Sequence, residues 1–307
     1  MSTTASEAEK QGEVAGIRAR RRARVAWAFL SPALIVTAFV ALYPLCDTLY
    51  LSLTNTRLAS EEPPRFVGLS NYVELVHDGF FLDALLLTVL FAVITVMLEL
   101  ALGLGIALLL DARFKGRSAV RAAMLVPWAI PTAVSTQMWK WMYNDVYGVF
   151  NDVLVNRLGL VSEPIAFTAD PRTSLAAAVL VDVWKTTPFV ALLLLAGLQL
   201  IPRELYEAAR VDGATRLQAF TQITLPLLRP ALLVALVFRT LDALRVFDVF
   251  YVMFGSRPDM QTLATYAHEI LVSISDVGYG SAVSTAIFLV IAVFIVIYVV
   301  LFRRREA

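Results

Sequence analysis

The chain has very little of what enzymes use for redox, metal or acid–base chemistry: one cysteine and two histidines in 307 residues. A lone Cys46 cannot close an intrachain disulfide, and its place inside an apolar run reads as a small buried hydrophobe. His77 and His268 have no companions at ligand spacing, so no metal site is expected. Charge is scarce too, 17% of residues with a net of +1, which removes nucleic acid from the expected partners. No G-x-x-x-x-G-K-[ST] phosphate loop occurs, and no polar segment is long enough to fold as an ATPase domain. No catalytic residue is assigned.

What is abundant is apolar surface. Hydrophobic residues make up 59% of the chain and mean hydropathy is +0.71, more than one soluble globule can hide. A helix needs about 20 apolar residues to cross the hydrocarbon with its backbone satisfied. Six stretches qualify, near 25–53, 83–110, 120–142, 174–200, 230–254 and 281–302, and prolines inside several predict kinks. The fold class is therefore all-α: a polytopic membrane protein of six transmembrane helices.

Lys and Arg set the direction. Six lie in the tail up to Arg24, four in the 111–121 loop, four between Arg203 and Arg229 and three at Arg303 to Arg305, while the alternate loops together carry five. Short loops rich in these residues stay in the cytoplasm. Both termini and the 201–229 loop are expected inside, and loops 54–82, 144–173 and 255–280 outside. The Arg18 to Arg24 cluster precedes an apolar run too long for a signal peptide, so an uncleaved first helix is expected. Residues 1–24 read as a basic tail, partly disordered over the first 17, residues 25–302 as the transmembrane domain, and residues 303–307 as a cytoplasmic tail.

The 201–229 loop between spans four and five is the most informative segment. Pro202-Arg203-Glu204-Leu205-Tyr206-Glu207-Ala208-Ala209 predicts a short surface helix with proline in its first turn. Gly213 can take the left-handed conformation that ends it, and a second helix then leads through Pro226 into span five. Ala208 and Ala209 keep one side slim, while Glu207 and Asp212 offer charge to a basic partner.

The spacing Glu207-Ala208-Ala209, Gly213, then Ile223-Thr224-Leu225-Pro226 resembles the coupling loop of ABC importer permeases. Leu125-Val126-Pro127 to Pro131, Trp139, Trp141, Gly148, Asn151, Trp184, Pro188, Phe189 and Gly197-Leu198-Gln199 are similar to the carbohydrate branch, the maltose and glycerol-phosphate type. The chain departs from the branch at Gly255-Ser256-Arg257-Pro258, where paired glycines usually precede the proline. The resemblance implies a bacterial inner-membrane permease, not an enzyme, that forms half of a translocation path. It implies a second permease, two ATP-binding subunits that carry ATP and Mg, an extracytoplasmic solute-binding (lipo)protein and a sugar. Length, basic tail and pattern are similar to the trehalose importers of mycobacteria, which makes a disaccharide such as trehalose the first expectation. A secondary transporter or channel is the alternative, to be told apart by flux without ATPase subunits; a purely structural membrane protein would tolerate neutralisation of its intramembrane charges.

Charge within the hydrocarbon costs about 2.5–3.5 kcal/mol per group on insertion scales, so such residues should face water or each other. Two clusters stand out: Asp182 and Lys185 beside Trp184, Thr186 and Phe189 in span four, and Arg239, Asp242, Arg245 and Asp248 every third residue in span five. A helix would gather the second set into one polar stripe. Those four either line a solute path or pair to pin helices together. For Asp182 to Phe189 the resemblance favours the path. Glu99, alone in span two, reads as a packing group, and Lys140 with Trp139, Trp141 and Tyr143 as an outer interfacial belt.

Overall fold

A computed structural model describes residues 3–58, 60, 63–112 and 114–303, with side chains from Arg24 onward except those of Val299 and residues 301–303. Runs of Leu, Ala, Val and Phe without interior helix stops give long helices. Helix α1 is Thr3–Leu51 and carries Pro32 and Pro44 inside it. Its backbone is helical over residues 3–17, within the stretch where partial disorder is expected; Ala, Glu, Gln and Lys there are good helix formers. The side chains of residues 1–23 and all of residues 304–307 in the expected 303–307 tail lie outside the described set. After the short α2 (Ser70–His77) comes α3 (Gly79–Asp111), capped by Asp78, whose carboxylate accepts the Phe80 N–H.

Five described helical stretches are long and apolar enough to cross a membrane: Arg24–Leu51, Gly79–Asp111, Pro171–Gln199, Arg216–Phe254 and Val277–Tyr298. The segment expected as span three is different. It forms α4 (Arg117–Met124), α5 (Val126–Ala129) and α6 (Thr132–Met142). Pro127 sits at the start of α5, where its missing N–H costs nothing. Pro131 holds Ile130 extended (ψ 135°), so the helix stops and restarts. Then follow α7 (Val149–Asn151), α8 (Pro171–Gln199) with Pro188 inside, α9 (Arg203–Val211), α10 (Arg216–Ala219) and α11 (Leu225–Ala243). The chain ends with α12 (Asp248–Phe254), α13 (Leu263–His268) and α14 (Val277–Arg303).

Helices α3 and α8 form the spine of the bundle. A Cβ on Gly103 would lie 2.7 Å from Val190 Cγ1, and one on Gly197 would lie 2.4 Å from the Ala231 Cβ, so the absent side chains let α3 and α11 approach α8. Two apolar cores flank the middle of this spine. One gathers Phe91, Tyr143, Val179, Val183 and Phe250; the other gathers Ala107, Val190, Leu194, Leu228 and Ala235. Along the helices the polar residues Glu99, Lys185, Thr186 and Arg239 fall between them, with Asp182 at the edge of the first.

Several expectations change. Helix α1 packs mainly on α14, and Cys46 is exposed rather than buried among the described residues. The outer belt is largely internal. Lys140 Nζ donates to the Val252 carbonyl at 2.8 Å, Trp139 stands against Trp184 and Phe150, and Tyr143 is buried against Phe150 and Phe167. Only Trp141 is exposed. At the expected outer end, Tyr266 and Tyr279 hydroxyls both donate to the Asp78 carboxylate. Burial pushes that carboxyl up, but the hydrogen bonds to it outweigh burial and hold it below its ordinary value. Arg257, at the departure from the branch pattern, donates to the Thr168 carbonyl and to Ser174 Oγ, tying the 255–258 turn to α8.

Candidate functional site

The 201–229 loop folds as an elbow of α9 and α10, built from strong local signals. Pro202 precedes α9 in extended conformation; Glu204 in the first turn and Arg210 in the last oppose the helix dipole. Gly213 has φ +79°, and a Cβ there would meet nothing within 4 Å, so its constraint is backbone conformation alone. The α9 end is closed by Asp212 N–H to the Ala208 carbonyl (2.9 Å) and Ala214 N–H to the Ala209 carbonyl (2.8 Å). Thr215 then caps α10 in a reciprocal box with Gln218. A wide turn, Phe220–Thr224, runs into α11, where Pro226 occupies the first turn. Tyr206 OH and Thr224 Oγ1, 2.9 Å apart, lock the two arms.

Its outer face is unpaired. Glu207, Ala208, Asp212 and Gly213 are exposed, whereas Ala209 is half-buried against the bundle, so the two alanines do not share one slim side. Val211 is 88% and Leu217 71% exposed. Among the described residues neither Glu207 nor Asp212 forms an ion pair. A cleft of about 750 Å³ separates the elbow from the end of α3, lined by Leu108, Asp111, Tyr206, Glu207, Arg210 and Thr224 among others.

In the membrane region the charges converge on Arg239. Its Nε donates to Glu99 Oε2 and its Nη1 to Asp242; Nη2 lies 2.9 Å from both Glu99 Oε1 and Asp182 Oδ2. Thr186 Oγ1 donates to the same Glu99 carboxylate. One guanidinium thus joins α3, α8 and α11, and Glu99 has the packing role read from its sequence context. The bonds satisfy groups that burial would otherwise penalise heavily.

Beside this cluster lies a cavity of about 320 Å³. It brings together the expected Asp182, Lys185, Thr186, Asp242 and Arg245 with Asp248 of the same span-five set, and adds Trp128, Thr132 and Phe247. Arg239 is behind its wall, in the ion cluster. Trp184 is elsewhere, in the aromatic cluster with Trp139. Phe189 reaches the cavity only through Trp128, on which it stacks at 5.6 Å and 11°. The expected single stripe is also broken, because α11 ends at Ala243 and Phe247 (φ −123°, ψ −62°) starts a new helix. Arg245 and Asp248 line the cavity from the break itself. Lys185 Nζ donates to the Trp128 (3.3 Å) and Ile130 (2.6 Å) carbonyls, which the stop at Pro131 leaves free. Among the described residues no group of His, Cys, Asp and Glu could hold a metal ion.

Residues 99–307, which contain both the elbow and the cavity, match the family described as the binding-protein-dependent transport system inner membrane component. The chain belongs to that family. Among its relatives, the trehalose/maltose transport system permease protein of Thermococcus litoralis is 43% identical over 93% of this chain and 96% of that one. The sulfoquinovosyl glycerol transport system permease protein of Agrobacterium fabrum is 41% identical over 90% of both. The trehalose transport system permease protein of Mycobacterium tuberculosis is 38% identical over 91% and 89%. The fold is that of a bacterial alginate ABC transporter solved with an alginate pentasaccharide-bound periplasmic protein, with TM-score 0.81 over 94% of this chain and 96% of that one at 21% identity. Members of this family are transport components of the membrane, so the chain is a permease subunit and not an enzyme.

Proposed function

We propose that this permease is one half of the membrane path of an ATP-driven sugar importer in a bacterial inner membrane, with both termini and the elbow cytoplasmic. Its partners are a second permease, two ATP-binding subunits that hold ATP and Mg, and an external binding protein. The elbow carries the coupling: Glu207, Ala208, Asp212 and Gly213 face the ATPase, Ala209 seats α9, and Pro226 starts the arm that enters the membrane. The single observation behind this reading is that the elbow is internally capped and locked while its charged and apolar outer groups lack any partner in the described chain. A stiff knob with an unfilled face can pass on a push.

The nucleotide does work by preferring the closed ATPase pair, which moves the permeases only if the elbow follows that closure. The path itself is the cavity of Asp182, Lys185, Thr186, Asp242 and Arg245, with Trp128 supplying a ring face and Arg239, behind its wall, holding Asp182 and Asp242 in place. Trehalose, transported by two of the relatives named above, is the first sugar to try. In vesicles containing the whole importer, Gly213→Pro, which cannot hold φ +79°, and the charge reversal Glu207→Lys should each abolish trehalose uptake and its stimulation of ATP hydrolysis. Insertion of the permease should be normal in both. Undiminished uptake in either variant refutes the coupling role.

A further inference from the structure

At the elbow end of the bundle Lys115, Arg117 and Arg203 line one open hollow of about 580 Å³, together with Phe114. The cations come from the loop before span three and the loop after span four, and no carboxylate is among the described residues of the wall. Topology accounts for basic loops at this end. It does not account for three like charges drawn into one hollow, where they repel each other. None of the three forms an ion pair among the described residues. Arg203 also borders the elbow cleft, where Asp111, Glu204 and Glu207 stand with Arg210, and it pairs with none of these acids. The backbone adds to the positive field. Arg117 opens α4 and Arg203 opens α9, behind Gly116 and Pro202, which supply no side-chain cap. Free N–H groups at a helix start carry partial positive charge, so a cation there is opposed unless an anion joins it. Glu204 offsets this in the first turn of α9, whereas the first turn of α4 has no acid.

Depth indicates which anion. Lys115 lies four residues past Asp111 and Arg203 four past Gln199, the ends of two helices long enough to span the membrane, which is where headgroups lie. Phe114, 43% exposed, sets an apolar ring beside the cations at that level. A phosphodiester offers its free oxygens to a planar guanidinium fork while its acyl chains stay in the hydrocarbon. We infer that this hollow binds the headgroup phosphate of an anionic phospholipid and so ties the foot of α9 to the bilayer. From the proposed function this takes only that the elbow lies on the inner side; it is independent of the sugar. Phosphatidylcholine carries the same phosphate but brings a cation of its own, which three basic side chains repel.

The test uses the complete importer in bilayers of phosphatidylcholine and phosphatidylglycerol in equal parts, with a trace of photoactivatable phosphatidylglycerol. Labelling should concentrate on segments 114–117 and 203–206, and photoactivatable phosphatidylcholine should label them far less. Arg203→Gln should lower the phosphatidylglycerol signal about fivefold, the worth of one basic residue at a charged membrane surface. Lys115→Gln combined with Arg117→Gln should lower it further, while Arg203→Lys should keep most of it. Excess inorganic phosphate at matched ionic strength should not compete, because the lipid is held in place by its chains. Amides in the first turn of α9 should exchange more slowly in this bilayer than in phosphatidylcholine alone, except in Arg203→Gln. Equal labelling by the two lipids, a signal unmoved by the glutamine variants, or loss of the signal to inorganic phosphate overturns the inference. So does the absence of labelling by either lipid, the result expected if an ATP-binding subunit covers the hollow. The sugar path and the coupling role stand under each of these outcomes.

Discussion

The elbow and the Arg239 cluster are both small groups of charged residues on short stretches of helix, yet they solve opposite problems. At the elbow, the backbone is closed by its own caps and the charges of Glu207 and Asp212 are left outward, with Val211 and Leu217 exposed as well. Around Arg239, the one guanidinium is spent inward, on Glu99, Asp182 and Asp242. Buried charge engaged from three helices marks a joint of the bundle itself. Charge left open on a rigid frame marks a surface meant for something outside the chain.

That contrast can be broken first at Arg239. Arg239→Met leaves Glu99 buried with no cation, which costs about 3–5 kcal/mol when one partner of a buried pair is removed. Thermal melting of the purified permease should fall sharply, and adding Glu99→Leu should recover most of the loss. An unchanged melting temperature in the single variant would show that the cluster is not a joint. At the elbow the same kind of change should leave folding alone, because no partner is abandoned. A smaller effect is expected from Tyr206→Phe, which removes one hydroxyl bond worth about 1 kcal/mol. Amides of the elbow should then exchange several-fold faster while those of α3 and α8 do not change, and uptake per ATP should drop modestly. Equal protection of the elbow in both proteins would show that the Tyr206 to Thr224 contact does not stiffen it.

The two regions also differ in how far they could be read from residues alone. The elbow is made of neighbours: proline before a helix, glycine after it, Thr215 and Gln218 three apart. Each signal acts within a few residues, so its helices and the positive φ at Gly213 were legible. The Arg239 cluster joins groups up to 140 residues apart, and spacing says nothing about which distant helix will face which. Glu99 could have been matched to Arg239 by asking which intramembrane acid has no cation nearby in sequence. Span three reads as one helix because hydropathy averages over the 120–142 stretch, whereas Pro131 acts on Ile130 through sterics that hydropathy ignores. That stop frees the carbonyls that hold Lys185 and exposes Trp128 to the cavity, so the missed break is also why Trp128 and Thr132 were missed. The resemblance points to Trp184 on the path and residue type points to Lys140 at an outer belt, but helix packing sets Trp184 against Trp139 and Lys140 on the Val252 carbonyl.

The most direct test of the coupling account places a single thiol on the elbow. With Cys46→Ser removing the one native cysteine, Glu207→Cys in the assembled importer should crosslink to an ATP-binding subunit and resist membrane-impermeant thiol reagents applied from outside. Labelling from the outer side, or a failure to reach any ATP-binding subunit under conditions where the complex is intact, would contradict it.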